Sequence, residues 1–218
     1  MYTGPNITTD GLVLSLDAAN TKSYVSGSNV WRDVSGNNYS GSLSNNPTFS
    51  TDYSGILIMN GTNNFVTLTL PTFSLTYSIS FWFRPISFPI GANNEIQLFS
   101  SPGDVASLSF YSFVSNIYTL GSWNGSGYRQ ANTKIGIGNW YHLVMVNNVN
   151  TTFFINGMVD NTLASTATLN SGQANIGCIN GNARFFNGNI SMVSFYNRGL
   201  SSIEVAQIYN SQKSRFNL

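Results

Sequence analysis

A chain of 218 residues with 42% hydrophobic and 14% aromatic side chains can fill the core of one large β-domain, which excludes a disordered chain and leaves two full domains cramped. Only 8% of residues are charged and the formal net charge is +1, so no field gathers nucleic acid and solubility falls to Asn, Ser and Thr. The lone Cys178 excludes an internal disulfide and a thiolate metal cluster.

In chain order, Met1–Asp10 has no periodic pattern and reads as an extended N-terminal arm, with one domain over residues 11–218. Short runs rich in β-branched and aromatic residues then predict strands at Leu12–Leu16, Ile56–Asn60, Phe65–Leu70, Ser78–Arg84, Ile96–Ser100 and Ser107–Phe113. Further strands are expected at Tyr118–Gly121, Trp140–Val146, Thr152–Asn156, Ala174–Cys178 and Phe185–Tyr196. In Ser78–Phe83 the residues Ile79, Phe81 and Phe83 fall on one wholly apolar face, which belongs in a core. Trp140–Val146 is apolar almost throughout, as in a central strand, and Asn147–Asn150 turns it into a hairpin with Thr152–Asn156. Asn-Gly steps at 60–61, 124–125, 156–157, 180–181 and 187–188 mark turn tips, because Asn and Gly tolerate positive φ. Ser201 and Glu204 fit a capping box that opens a helix at about Ser202–Gln212, with Val205, Ile208 and Tyr209 at helical spacing. The pattern is an all-β, two-sheet antiparallel jelly-roll sandwich with a short C-terminal helix.

The start of the chain has no basic segment followed by an apolar run, so no signal peptide is expected. No stretch nears the roughly 18 apolar residues of a membrane span, and a soluble protein made in a cytoplasm is expected.

Catalytic residues are not found. A glycosidase needs two carboxyl groups flanking one bond, yet the acids here stand apart, Glu95 at a strand entry and Glu204 in the helix cap. His142 lies on a strand apolar on both sides and lacks a Gly-X-Ser-X-Gly elbow, which reads as a structural histidine. Binding has a candidate. The loop Trp123-Asn124-Gly125-Ser126-Gly127-Tyr128-Arg129 joins aromatic rings, which cover apolar sugar faces, to amide and guanidinium groups that exchange hydrogen bonds with hydroxyls. Trp123, Asn124, Tyr128 and Arg129 are thus the candidate carbohydrate contacts. The alternative is that Trp123 and Tyr128 close a hairpin and pack inward.

The blocks Asp10–Asn20, Trp31–Asn37 with Gly41–Leu43 and Pro47–Phe49, Ser80–Pro85, Asn139–Val144, Phe154–Gly157, and Gly188–Ser201 with the helix form a set in order and spacing. Together they resemble laminin G-like domains of the concanavalin A-like superfamily, of the kind found in marine bacteriophage structural proteins. The resemblance implies the sandwich and a non-catalytic virion structural protein, a head decoration or tail-fibre component assembled in the host cytoplasm. Its partners would be other virion proteins or copies of itself, with host-surface glycan as a further target; nucleic acid and membrane insertion are not expected. The alternative is a free carbohydrate-binding lectin or adhesin. Some relatives bind calcium through acidic loop residues, which makes Asp17 and Asp33 the candidate metal ligands, though no cofactor is required. Turn or cap hydrogen bonding is the other reading of that pair.

Overall fold

Sixteen strands form among the residues that the computed structural model describes, 7–91, 94–114, 117–164 and 166–218. The first eight are β1 (Leu12–Asp17), β2 (Val30–Trp31), β3 (Gly41–Ser44), β4 (Thr48–Ser50), β5 (Ile56–Asn60), β6 (Phe65–Leu70), β7 (Tyr77–Pro85) and β8 (Glu95–Ser100). Then come β9 (Ser107–Val114), β10 (Ile117–Trp123), β11 (Tyr128–Lys134), β12 (Tyr141–Asn147), β13 (Thr151–Ile155), β14 (Met158–Leu163), β15 (Gly172–Ile176), β16 (Asn187–Tyr196) and helix α1 (Ser202–Gln212). They build the expected two-sheet antiparallel sandwich. One sheet runs β14-β13-β12-β7-β16-β5-β4, with β1 also paired to β16; the other runs β11-β10-β9-β8-β15-β6-β3-β2.

Strand alternation packs the space between the sheets. From one side Tyr77, Ile79, Phe81 and Phe83 of β7 point inward, and from the other Leu98, Phe99, Leu108 and Phe110 meet them, all at 0% exposure. The two outer faces differ, and that difference places the candidate site. Helix α1 lies on the outer face of the first sheet, so β12 is apolar on both sides: Leu143 and Met145 enter the main core, while Val144 and Val146 pack with Val205 and Ile208 under the helix. The capping box forms as expected, Ser201 accepting from the Glu204 backbone N–H while the Glu204 carboxylate accepts from Ser201. Beyond the helix, Phe216 stacks on Trp82 at 4.2 Å and meets Trp140 at 4.5 Å. Arg215 locks this tail by pairing with Asp17 at 2.8 Å and donating to the Gly55 carbonyl at 2.6 Å. Among the described residues no helix covers β8–β11 of the second sheet.

The Asn-Gly step at 187–188 is a correction: it lies inside β16, not at a turn. Gly188 is needed there because a Cβ would stand 2.4 Å from the Arg84 carbonyl and 2.6 Å from the Phe186 ring. At 156–157 and 180–181, by contrast, both residues have positive φ, as a tight turn requires. His142 is fully buried, stacked 4.9 Å from Trp82 with Nε2 3.0 Å from Ser80 Oγ. Of the N-terminal arm, residues 1–6 lie outside the described residues. The rest runs along β16, where Tyr196 Oη donates to the Thr8 carbonyl and Arg198 pairs with Asp10. Among the described residues no helix is long and apolar enough to cross a membrane.

Candidate functional site

On β8 to β11 the period of two that sends Ile96, Leu98, Leu108, Phe110 and Leu120 inward sends Glu95, Ser109, Tyr111, Trp123 and Tyr128 outward. Register gathers them. Glu95 stands opposite Tyr111, Gly121 opposite Ser109, and Trp123 opposite both Ser107 and Tyr128. The result is a groove of about 700 Å³ lined by Asn94, Glu95, Asp104, Tyr111, Trp123, Tyr128 and Arg184.

Its floor is wired. The Tyr128 hydroxyl donates to the Glu95 carboxylate and accepts from Ser109, and Arg184 pairs with the other Glu95 oxygen at 2.7 Å. Burial and then the bond to Glu95 hold the Tyr128 phenol far above its ordinary pKa, so it stays a donor. The ring centroids of Tyr111 and Trp123 lie 4.9 and 5.9 Å from that of Tyr128, making an aromatic wall. Gly121 makes room for it: a Cβ would sit 2.6 Å from the Arg129 carbonyl and 3.0 Å from the Tyr128 ring.

The structure divides the residues singled out by sequence. Trp123 and Tyr128 close a hairpin, yet they face the groove and do not pack inward. Asn124 shapes the turn beside it: its Oδ1 accepts from the Ser126 and Gly127 backbone amides at 3.0 and 2.8 Å. Arg129 is a correction. It alternates to the inner face at 4% exposure, where its Nη groups donate to Thr151 Oγ1 at 2.6 Å and Ser122 Oγ at 3.0 Å, so it cannot reach a ligand in the groove. Burial lowers its pKa. Sequence reasoning missed Asn94, Asp104, Tyr111 and Arg184. The Leu108–Phe110 alternation was a signal for Tyr111, whereas nothing local announced the other three.

Glu95 is not solitary either, because Asp104 lines the same groove. Glu95 stands opposite Tyr111, and Asp104 lies in the turn before Ser107, whose Ala106 N–H donates to the Trp123 carbonyl.

Asp17 and Asp33 both act as hydrogen-bond acceptors within the protein. Asp17 Oδ1 accepts from the Ala19 amide at 2.9 Å and from Arg215, while Asp33 accepts from the Ser15, Ser35 and Tyr39 amides. Turn and ion-pair bonding is thus the role the structure gives them. No cluster of three or more His, Cys, Asp or Glu side chains occurs among the described residues.

A laminin G family model, described as the concanavalin A-like lectin/glucanases superfamily, matches residues 60–206. The chain belongs to this superfamily. No curated protein matches the sequence. Among solved structures, this concanavalin A-like chain is similar to the receptor-binding domain of botulinum neurotoxin type G, with TM-score 0.71 and 18% identity over 93% of the chain. It is also similar to the binding domain of serotype D (TM-score 0.70, 15% identity, 94% of the chain). A third, with TM-score 0.67 and 18% identity over 94% of the chain, comes from botulinum neurotoxin type C, whose cell entry is dependent upon interaction with two ganglioside molecules. The chain spans only 52% of each of these structures. Such likeness establishes the lectin-like jelly-roll fold.

Proposed function

We propose that the chain is a non-catalytic carbohydrate-binding domain whose site is the groove over β8–β11. The convergence of Tyr111, Trp123 and Tyr128 with a carboxylate–guanidinium pair carries this reading, since rings cover the apolar face of a sugar while Asn94, Glu95, Asp104 and Arg184 exchange bonds with its hydroxyls. The ganglioside dependence of the type C neurotoxin is in line with it. Glycan-array binding that Trp123→Ala abolishes, with the circular dichroism spectrum retained, is the expected result. A folded wild-type chain that binds no glycan overturns it. Polysaccharide turnover lost in Glu95→Gln would overturn the non-catalytic part.

A virion setting is a second reading, supported by the resemblance of Asp10–Asn20 and Gly188–Ser201 to phage structural domains. Mass spectrometry of purified particles tests it, absence of the chain counting against it. In that setting the domain over residues 11–218 would display the groove for attachment to host-surface glycan.

A further inference from the structure

We infer that the groove selects a saccharide carrying a free, protonated amine, with Asp104 as the residue that sets this preference; the inference rests on the groove being a sugar site. The groove's three charges are unequally matched. Glu95 is neutralised within the protein by Arg184 at 2.7 Å and by the Tyr128 hydroxyl. Asp104 is not: it takes part in no ion pair among the described residues, and its enclosed Oδ1 meets no hydrogen-bond donor.

A carboxylate in that state is costly, because partial burial weakens its hydration and nothing inside replaces the lost water. Its backbone holds it there. Gly103 and Asp104 both have positive φ, at 73° and 56°, and the turn is tied at each end by the Asp104 N–H to the Ser101 carbonyl and the Ala106 N–H to the Trp123 carbonyl. The side chain is therefore presented to the groove by a strained turn anchored to the strand that carries Trp123.

Oδ1 is closed to solvent, so a ligand in the groove meets the other oxygen, Oδ2, and answers the charge of the carboxylate as a whole. A sugar hydroxyl would donate a hydrogen bond but leave the charge, whereas an ammonium donates and neutralises together. The walls agree with this choice, since Tyr111, Trp123 and Tyr128 line the groove and aromatic rings attract a cation. A uronic acid or other acidic sugar meets the opposite: an unmatched negative charge beside an arginine already engaged.

The test uses the intact chain and three β-linked tetrasaccharides, one of glucosamine, one of N-acetylglucosamine and one of glucuronic acid, titrated calorimetrically below the pKa of the amine. The glucosamine oligomer should bind about tenfold tighter than the acetylated one, the yield of one charge-assisted hydrogen bond, and the glucuronate weakest. Added salt should shrink that advantage. In Asp104→Asn the ratio between the first two should fall to near one. Equal affinities in the wild type, tightest binding of the glucuronate, or a ratio unchanged in Asp104→Asn overturns the inference while leaving the groove as a sugar site. Binding of any oligomer that survives Trp123→Ala, or no binding at all, strikes the underlying reading instead.

Discussion

Gly121 carries no side chain because the Tyr128 ring must cross over β10 to reach Glu95, and the nearest obstacle to a Cβ is the backbone carbonyl of Arg129, which cannot swing aside. Gly121→Ala should therefore cost about 1–3 kcal/mol, read as a lower urea midpoint, and loosen the Tyr128–Glu95 bond. An unchanged midpoint would show that the hairpin yields freely. Two neighbours on one hairpin separate binding from stability in the same way. Trp123 faces the groove and Arg129 faces inward, so Arg129→Leu should lose about 2–4 kcal/mol by removing the buried guanidinium that donates to the Thr151 and Ser122 hydroxyls, yet keep the glycan affinity of the folded fraction. Denaturation and binding isotherms on the same preparation distinguish these effects. Period-two reasoning applied strictly from Trp123 would have separated Tyr128 from Arg129, because consecutive strand residues point to opposite faces.

At the level of elements, the C-terminal turn is the cover that makes the first sheet's outer face apolar. Phe216, 3% exposed, is packed between Trp82 and Trp140, and Phe216→Ala should cost about 3–5 kcal/mol and reduce the near-ultraviolet circular dichroism of those indoles. A variant of native stability would mean that the turn merely rests there. The same elements mark what the sequence discloses. β5, β6 and α1 were legible to the residue because apolar runs ended in strong punctuation, Asn-Gly after β5 and a capping box before α1. β11 (Tyr-Arg-Gln-Ala-Asn-Thr-Lys) and β14 (Met-Val-Asp-Asn-Thr-Leu) were not: each lies at the edge of its sheet, so little of it is buried and no hydrophobic alternation is imposed. Their pairing is written in polar contacts instead, with Asp160 accepting from the Asn132 and Thr133 amides across the open side of the sandwich. The groove was half legible for a related reason. Trp123 and Tyr128 are neighbours through one short turn, whereas Asp104 and Arg184 reach it from distant loops by chain topology.

For the molecule as a whole, buried titratable groups set the pH range over which the sandwich holds. Full burial lowers the His142 pKa from 6.5 to about 3, so between those values the unfolded chain binds the proton that the folded chain refuses. Stability from His142 is complete above pH 6.5 and is lost progressively as pH falls toward 3. Glu204, bonded to Arg198, is lowered from 4.5 to about 2 and adds to the loss in acid. On the alkaline side burial raises Cys178 from 9.0 to about 11 and Tyr196 from 10.0 to about 12, so their contribution is present below pH 9 and disappears as pH rises through the raised values. Thermal unfolding across pH should thus show a plateau between about 6.5 and 9 with a shoulder falling away on each side. The acid shoulder belongs chiefly to His142, which stacks on both Trp82 and Tyr209 beneath the C-terminal helix. His142→Gln should consequently flatten the decline between pH 6.5 and 4.5, even at some cost in stability on the plateau. A slope in that window equal to the wild type's would assign the acid sensitivity to other groups and leave His142 with a packing role alone.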